Sequence, residues 1–391
     1  MKITDIQTFF VCGQWATEGR KRNFIFVKVL TDEGIEGIGE CFNTGSFGDL
    51  AIAEVIKGYK RWLLGKDPTR IVHHWQAIYR SSRFPMGTIQ MAALSGVEIA
   101  LWDILGKKLG VPVYKLLGGP CRDKIRAYVS LFVYGKTESP EELSKTASEV
   151  VRRGYTALKF NPNPPDYAKK DPDQITKAAF QRVRAVRDAV GDDILVCLDY
   201  AGTEFSPANA IKMAKVLEPL NPFFLEEPVL WENIQATAEV KANTIIPIAT
   251  GERLQTIYGF KELIETRAVD IIQPDPILCG GILETIKIAA MAEVNYITVA
   301  PHNPFGPVET AVSVGIDSCI PNFLIQEYKP DDKPPRRDMV LEPLKFNKGY
   351  IELPTKPGIG VELNEDSFSK YPYEPFDRAV VIREDGSIGL Y

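Results

Sequence analysis

The sequence predicts an α/β protein in which a parallel (β/α) barrel follows a smaller α+β domain. Three observations support this fold class. From about residue 125 onward, short apolar segments alternate with helical ones. From Asp199 on, the residues that end successive strand candidates are 27, 26, 23, 27 and 25 residues apart, which leaves room for one crossover helix each. These strand ends carry charged residues although the strands are apolar, as in barrels that place an active site at the carboxyl ends of their strands.

Composition narrows the class of protein. The chain has 391 residues, 45% apolar and 25% charged, which is an ordinary globular composition. Its net charge of −5 argues against a nucleic-acid or anionic-membrane surface, which requires a basic face. There is no run of 18 apolar residues and no signal-peptide core, and the six cysteines are scattered singly. We therefore expect a cytoplasmic protein with no nucleic-acid and no membrane partner.

The first domain is predicted from two strands and a long helix. Residues 23–30 and 35–42 read as strands joined by the Gly-containing turn 31–34. Gly110 supplies a left-handed stop for the helix that follows them, and a proline two residues later prevents its continuation. The apolar residues that share one face of this helix are Ala93, Val97, Ala100, Leu101 and Ile104. Strands followed by helices indicate a separate α+β domain.

The barrel elements follow in order. The predicted strands are 125–135, 156–161, 193–202, 223–228, 246–252, 269–275, 297–302 and 322–327. Ser139 and Glu142 form a capping box that starts the first crossover helix. A doubly wound sheet is the alternative, but it would carry a Gly-rich first turn, and no GxGxxG is present.

The barrel leaves residues at both ends of the chain for other structure. A typical barrel takes about 250 residues, which leaves about 141 for the first domain and the tail. The tail is turn-rich and strand-like, and we expect it to pack back against the first domain. The predicted division is 1–124 for the α+β domain, 125–340 for the barrel and 341–391 for the returning segment.

Three acidic residues end successive predicted strands: Asp199, Glu226 and Glu252. Neighbouring strand ends of a barrel point into one mouth, so these carboxylates should converge. Three like charges in one cleft repel each other unless a cation lies among them. Oxygen ligands suit a hard ion such as Mg²⁺. The alternative is that each acid separately caps a helix or pairs with an arginine.

A possible base and its partners follow further strands. His302 ends one predicted strand and Asp275 ends the strand before it, so the two can form a hydrogen bond that fixes the imidazole tautomer. Glu327 closes the last strand, and Lys159 lies near the end of the second. The alternatives are a histidine bonded to nearby backbone and a solvated lysine.

The order of these residues and the segments around them resembles the enolase superfamily, and within it the mandelate racemase/muconate lactonising group. The resemblance covers nearly the whole chain. The segments that carry it are GVEIALWDILGKKLGVPVYKLLGG, LEEP, TGERL, QPDPILCGG, APHNPFGP and LPTKPGIGV. It implies a modified (β/α)₇β barrel with an N-terminal α+β capping domain that the C-terminal segment completes.

The resemblance also implies roles for the residues singled out above. The implied Mg²⁺ ligands are Asp199, Glu226 and Glu252. Glu226 is preferred over Glu227 because family members keep an acid at the first of these two positions. Asp275 and His302 would be the catalytic dyad, and Glu327 a hydrogen-bonding partner of the substrate. Relatives commonly form symmetric assemblies, so a homo-oligomer is expected.

The implied reaction is the dehydration of a sugar acid. Racemase-like members carry K-x-K on the second strand, whereas this chain has Lys159, Phe160 and Asn161 there. The K-x-N pattern and the neighbouring segments look most like galactonate dehydratase-like acid-sugar dehydratases. Such an enzyme removes the proton α to the carboxylate, through an enediolate that Mg²⁺ stabilises, and eliminates the β-hydroxide to give a 2-keto-3-deoxy acid.

One departure from the family leaves other reactions open. Those dehydratases usually have a histidine two residues after the first metal ligand, and here that position is Ala201. We expect His302 to act as both base and acid, with Tyr200 or Lys159 assisting. An epimerase, racemase or cycloisomerase working through the same enediolate is one alternative, and a barrel that binds metal and ligand without turnover is another.

The sugar acid is expected to be recognised by residues at the mouth and in two cap loops, 13–23 and 44–49. The predicted substrate-binding residues are Asn161, Tyr200, Trp15 and Arg22. For Trp15 and Arg22 the alternative is an ordinary surface position.

Overall fold

The computed structural model describes residues 1–14, 21–42, 45, 48–201, 206–376, 380–383 and 385–389. Two sheets organise the described chain. The strands are β1 (Ile3–Gln14), β2 (Lys21–Thr31), β3 (Glu36–Cys41), β4 (Lys124–Ser130), β5 (Ala157–Phe160), β6 (Leu195–Asp199), β7 (Phe224–Glu226), β8 (Ile248–Thr250), β9 (Ile271–Ile272), β10 (Thr298–Val299), β11 (Gln326–Glu327), β12 (Phe346–Asn347) and β13 (Tyr350–Glu352). The helices are α1 (Asp49–Leu63), α2 (Ile71–Ser81), α3 (Thr88–Leu109), α4 (Val113–Leu116), α5 (Pro140–Arg152), α6 (Pro172–Val190), α7 (Pro207–Leu217), α8 (Ile234–Ala242), α9 (Thr256–Glu265), α10 (Ile282–Glu293) and α11 (Pro307–Cys319).

The first sheet is an antiparallel meander in the order β1-β2-β3, and α3 packs against it. The contact is close because two glycines of β3 face the helix backbone: a Cβ on Gly37 or Gly39 would lie 2.0 Å from a carbonyl oxygen of α3. The two predicted strands and the helix are confirmed, and Gly110 adopts the expected left-handed conformation (φ 70°) at the helix end. Strand β1 was not predicted. Its pairing register shifts between Ile3 and Asp5, which breaks the alternation that a sequence pattern would show.

Among the described residues, α3 is also the one helix long and apolar enough by composition to cross a membrane, and 78% of its most apolar window is buried within the fold. It has the burial of a core helix: its neighbours are β2, β3, α1, α2, α4 and α10.

The second sheet contains the predicted succession of parallel strands, from β4 through β10 in chain order. Strand β11 pairs with β4, and Phe323, just before it, forms a parallel bridge with Val299 of β10. The last strand candidate therefore links both ends of the row, and the eight predicted barrel strands are confirmed. The ladder pairing of several strands ends earlier than predicted. Glu252, Asp275 and His302 lie two or three residues beyond β8, β9 and β10, at the starts of loops.

The capping box predicted at the start of α5 is present. The amide of Glu142 donates to Ser139 Oγ at 3.2 Å, and the amide of Ser139 donates to Glu142 Oε2 at 3.3 Å. Reciprocal bonds of this kind satisfy amides that a helix start leaves unpaired. The sequence pattern at this position therefore fixes where the first crossover helix begins.

Two carboxylates of the N-terminal part dock it onto barrel helices. Glu98 of α3 accepts hydrogen bonds from the amides of Ile282 (2.8 Å) and Leu283 (3.1 Å), at the start of α10. Glu40 of β3 accepts bonds from the amides of Gly306 (2.7 Å) and Glu309 (3.0 Å), at the start of α11. A helix N-terminus has unpaired N–H groups and the positive end of the helix dipole. Each carboxylate accepts hydrogen bonds from these N–H groups and interacts favourably with the dipole.

The C-terminal segment contacts both parts. Strand β13 pairs antiparallel with β4, whereas Phe368 stacks on Phe26 of β2 with ring centroids 5.7 Å apart. Asp103 of α3 accepts a hydrogen bond from the Ile359 amide at 2.9 Å. The expected return of the tail to the first domain is therefore seen, and the boundaries at 124 and 340 stay a prediction.

Candidate active site

Lys159 lies at the centre of a group of acidic side chains at the carboxyl ends of β5, β6 and β7. Its Nζ is 2.7 and 2.8 Å from the two carboxylate oxygens of Glu226 and 3.3 Å from Asp199 Oδ2. Glu327 Oε1 is 3.7 Å away. Parallel pairing aligns Asp199 directly with Glu226, so their side chains emerge side by side. The sequence prediction that these strand ends share one mouth is consistent with this geometry.

Glu226 and Glu327 are buried, and Asp199 beside them is partly exposed. Burial, then the negative charge of Asp199, raises the pKa of Glu226 to about 8, with Lys159 opposing and Glu252 adding to the shift. Burial alone would lower the pKa of Lys159, but Glu226 and Glu327 outweigh it and raise that pKa well above its usual value. Lys159 alone does not balance the acids around it, which favours further positive charge at the mouth.

His302 and Asp275 form the predicted pair. His302 Nδ1 is 2.8 Å from Asp275 Oδ2, and Asp275 Oδ1 accepts a second bond from the Ile277 amide at 3.0 Å. The other imidazole nitrogen, Nε2, lies 3.3 Å from Glu252 Oε2. Burial acts to lower the pKa of His302, but Glu252 and Asp275 outweigh burial and raise it to about 9. The carboxylate on Nδ1 orients the ring and leaves Nε2 as the nitrogen that faces the acidic group.

Glu327 is the acid at the end of the last barrel strand. It accepts hydrogen bonds from Ser130 Oγ at 3.3 Å and from the Asn303 amide at 3.2 Å. Burial would raise the pKa of Glu327, but Lys159 and Lys329 outweigh it and hold that pKa well below its usual range. Glu327 is therefore an anion that joins the Lys159 group to the loop after His302.

Two cations near the site were not predicted. Lys329 is buried, and its Nζ lies 3.2 Å from Glu327 Oε1 and 4.2 Å from the ring centroid of Phe132. Arg253 pairs with Glu227 at 2.8 Å and approaches Glu252 Oε1 at 3.5 Å. Lys329 could have been found from its spacing, since it is two residues from Glu327 and alternate residues of an extended segment share a face.

Glu226 and Glu227 have different partners in the structure, and the preference for Glu226 as a metal ligand stays a prediction. Glu227 turns away from Lys159 to Arg253, and its backbone has a positive φ of 43°. Ala201, in place of the usual histidine, also has a positive φ (54°), and its amide donates to Asp199 Oδ1 at 2.8 Å. Glu226, not Glu227, is therefore directed at the group around Lys159.

The predicted substrate residues are placed differently from one another. Asn161 is exposed just after β5, and its side-chain oxygen accepts a bond from the Asn163 amide at 2.8 Å. Tyr200 is buried. Arg22 lies in β2 rather than in a loop, with its guanidinium 5.1 Å from the ring centroid of Phe305 in the barrel. Trp15 lies outside the described residues. Substrate contacts by these four stay a prediction.

The donor atoms of the predicted metal ligands are all carboxylate oxygens, which is the chemistry of a Mg²⁺ site. The buried negative charge around Glu226 fits a divalent cation as well. Within the described ranges, no three histidine, cysteine or acidic side chains surround a single point as metal ligands do. The donor chemistry therefore supports a metal at this mouth, and the three-ligand arrangement is left as a proposal.

The fold and this acid–lysine–histidine group define a family. The family described as "Enolase C-terminal domain-like" matches residues 142–367, and the family described as "Mandelate racemase / muconate lactonizing enzyme, N-terminal domain" matches residues 10–118. The chain belongs to the mandelate racemase/muconate lactonizing enzyme group of the enolase superfamily. The predicted resemblance and the capped-barrel fold class are thereby confirmed.

Particular relatives narrow the comparison. The chain is 37% identical over 396 residues to D-galactonate dehydratase of Variovorax paradoxus, covering 99% of both chains. It is 36% identical over 353 residues to D-gluconate dehydratase of Thermoproteus tenax, covering 90% of this chain and 70% of that protein. Among solved structures, an enolase from Agrobacterium radiobacter with bound sodium and L-malate is 32% identical, with a TM-score of 0.93 and full coverage of both chains.

Proposed function

We propose that this protein is an acid-sugar dehydratase, a hydro-lyase that converts an aldonate or related hydroxy acid into its 2-keto-3-deoxy acid. The D-galactonate and D-gluconate dehydratases among its relatives confirm the predicted class of enzyme. The observation in the site that carries the proposal is the His302–Asp275 pair, with Nε2 of His302 directed at the acidic group around Lys159.

The residues of the chain have separate tasks in this reaction. Asp275 holds Nδ1–H of the imidazole, so Nε2 of His302 is the atom that takes the proton from the carbon α to the substrate carboxylate. The same Nε2–H then protonates the β-hydroxyl as it leaves, which completes loss of water with one residue as base and acid. Lys159 and Lys329 place positive charge beside the carboxylate on which negative charge develops.

A divalent metal site at the barrel mouth agrees with family membership and with the oxygen donors there. We propose that the ion is Mg²⁺ and that Asp199, Glu226 and Glu252 hold it. When bound, Mg²⁺ would supply Lewis-acid stabilisation of the charge that develops on the substrate carboxylate. Cytoplasmic location and a homo-oligomeric assembly stay predictions.

Dehydration is favoured over epimerisation by the surroundings of Lys159. A two-base epimerase needs a second proton-transfer group on the substrate face opposite His302. The ammonium of Lys159 donates to both oxygens of Glu226, and the next inward position carries Asn161 instead of a second lysine. Solvent deuterium entering recovered substrate without loss of water would contradict this assignment and support the epimerase.

The direct experiment is a screen of mono- and diacid sugars with Mg²⁺, with 2-keto-3-deoxy acid as the measured product. His302→Asn should lower the rate on any accepted acid by at least about a hundredfold, because it removes the proton-transfer group. Its affinity for Mg²⁺, measured by calorimetry, should stay within a factor of about three, because Asn keeps the carboxylates in place. A variant as active as the parent would remove His302 from the mechanism.

The metal assignment has its own test. Glu252→Gln removes one charged oxygen and should weaken Mg²⁺ binding roughly tenfold or more, since even outer-shell changes cost that much at metal sites. Glu54→Gln, on the exposed face of α1, is the matched control and should leave the affinity unchanged. Equal affinities in the two variants would mean that the metal site lies elsewhere.

A further inference from the structure

A third carboxyl group, that of Glu309, adjoins the His302–Asp275 pair. Glu309 is in the first turn of α11 and is completely buried. Its side chain interacts with the Asp275 carboxyl group and lowers the pKa of that group. Its Oε2 accepts a hydrogen bond from the Phe305 amide at 2.7 Å. Its other oxygen, Oε1, is buried and receives no hydrogen bond from any donor in the described part of the chain.

The charged groups that face Glu309 come from three other elements. They are Asp275 in the loop after β9, Glu40 of β3 and Arg336 in the segment after β11. Arg336 donates through Nε to Asp331 at 2.5 Å and through Nη2 to Thr310 Oγ1 at 2.7 Å and the Gly306 carbonyl at 3.1 Å. None of the hydrogen bonds described for Arg336 goes to Glu309, Asp275 or Glu40.

The partners of each carboxyl group show where a proton belongs. Asp275 accepts bonds from His302 and the Ile277 amide, and Glu40 accepts bonds from two amides at the start of α11. Glu309 accepts from a single amide. As three buried anions, these groups would repel one another strongly, since, in addition to burial, the charge of Asp275 raises the pKa of Glu40 and both charges raise that of Glu309. A proton on Glu309 Oε1 turns the repulsive contact with Asp275 into an O–H hydrogen bond, which accounts for the oxygen that otherwise has no donor.

The electrostatics agree with this geometry. Burial, then the negative charges of Asp275 and Glu40, raises the pKa of Glu309 well above its usual value. For Asp275, burial raises the pKa, while the bonds from His302, Ile277 and Glu309 act in the opposite direction. The proton on Glu309 thus helps Asp275 to remain the charged partner of the imidazole.

We propose that Glu309 is a neutral carboxylic acid at pH 7 that donates a hydrogen bond to Asp275, and that it is a positioning residue for His302. The positioning role rests on the proposed function, in which His302 is the base, whereas the proton and its bond to Asp275 do not. The hydrogen bond from Glu309 holds the Asp275 carboxylate in position, and Asp275 in turn fixes the tautomer and orientation of the His302 imidazole. The catalytic pair is then the end of a buried chain that continues through Glu309 to Glu40 of the N-terminal sheet.

Infrared difference spectroscopy of the metal-free protein at pH 7 tests the proton directly. The spectrum of the parent minus that of Glu309→Gln should contain a neutral-carboxyl C=O band that shifts in D₂O. The exposed control Glu54→Gln should show only the loss of ionised carboxylate bands. If Glu309→Gln also removes only carboxylate bands, Glu309 is an anion and the proposal is overturned.

Kinetics test the positioning role. In Glu309→Gln the amide oxygen can accept from Phe305 and the amide NH₂ can donate to Asp275, so kcat should stay within about threefold of the parent. Glu309→Leu has similar bulk and neither bond, and should lose on the order of tenfold or more in kcat with little change in KM, because an orienting bond to a charged group is lost. If kcat falls as much in Glu309→Gln as in Glu309→Leu, the positioning role of Glu309 is overturned. If no sugar acid is turned over by the parent, the proposed function fails, and the infrared band still decides whether Glu309 carries a proton.

Discussion

Replacing Lys159 by methionine tests how far the stability of the barrel mouth depends on one buried ammonium group. The lysine side chain is 4% exposed and donates to both oxygens of Glu226, at 2.7 and 2.8 Å, with Asp199 at 3.3 Å. Methionine has nearly the same length and bulk and no charge. The substitution therefore leaves the packing and removes the cation that offsets two neighbouring carboxylates.

The expected loss of stability is large. Removing one partner of a buried ion pair costs about 3–5 kcal/mol, because the other partner is left buried without compensation. Two charge-assisted hydrogen bonds at about 1.5–3 kcal/mol each give a similar figure. At roughly 2.1 cal/mol/K per residue, unfolding a chain of this length changes the entropy by about 0.8 kcal/mol/K, so the melting temperature should fall by about 4–6 °C.

Thermal unfolding at pH 7 in the presence of a chelator measures this loss. The matched control is Lys57→Met, which breaks an ion pair with Glu54 whose two side chains are 68% and 71% exposed and which should contribute little. Added Mg²⁺ should stabilise Lys159→Met more than it stabilises the parent, because the carboxylates lack their ammonium partner. If Lys159→Met melts within 1 °C of Lys57→Met (roughly 0.8 kcal/mol by the same entropy), the buried ammonium does not hold this site together.

Two further predictions concern the docking of the N-terminal part. Gly39→Ala would put a Cβ 2.0 Å from the Gly96 carbonyl oxygen and should lower the free energy of unfolding in urea by more than about 2 kcal/mol. Gly58→Ala, in open space on α1, is the control and should raise it by up to about 1 kcal/mol. Equal effects of the two substitutions would refute the close helix–strand contact. Burial raises the pKa of Glu98 to about 7, so the folded protein keeps a proton there that the unfolded chain releases near pH 4.5. As the pH rises from 4.5 to 7, the free energy of unfolding should therefore fall by up to about 3 kcal/mol from this group. In Glu98→Gln the free energy of unfolding should depend less on pH over that range. Parallel curves for the parent and the variant would contradict the assignment.

The sequence was sufficient to predict the barrel because its signal is repeated. Each crossover unit contributes an apolar strand, a polar strand end and a helix, so the regular spacing of the units compensates for an uncertain boundary in any one of them. The same repetition brings Asp199, Glu226 and Lys159 to one mouth, since parallel strands in register align their ends. Strand β1 had no such support, and a register shift near its start removed the alternation by which a single strand is recognised.

The surroundings of the catalytic pair could not be predicted in the same way. Glu40 and Glu309 are 269 residues apart in the chain, and the Glu40 carboxylate accepts a bond from the Glu309 amide only because the N-terminal sheet docks on the start of α11. In the sequence, Glu309 is an ordinary first-turn acid of a helix, a position that normally favours the charged form. Burial and two neighbouring carboxyl groups reverse that expectation, and neither can be read from residue spacing.

The charges at the barrel mouth form two groups that meet at Glu252. One group is built around Lys159, and the other is the buried chain from Glu309 through Asp275 to His302, whose Nε2 lies 3.3 Å from Glu252. Burial would raise the pKa of Glu252, but the positive charges of His302, Arg253 and Lys159 together outweigh it and lower that pKa. Glu252 in turn contributes to the raised pKa of His302. A change at Glu252 must therefore alter the imidazole as well as any bound cation, so lost activity in Glu252→Gln would not separate the two effects. The Mg²⁺ affinities of Glu252→Gln and His302→Asn do separate the two effects. Binding of the ion requires its ligands but no proton transfer, so the affinity should fall in Glu252→Gln and not in His302→Asn.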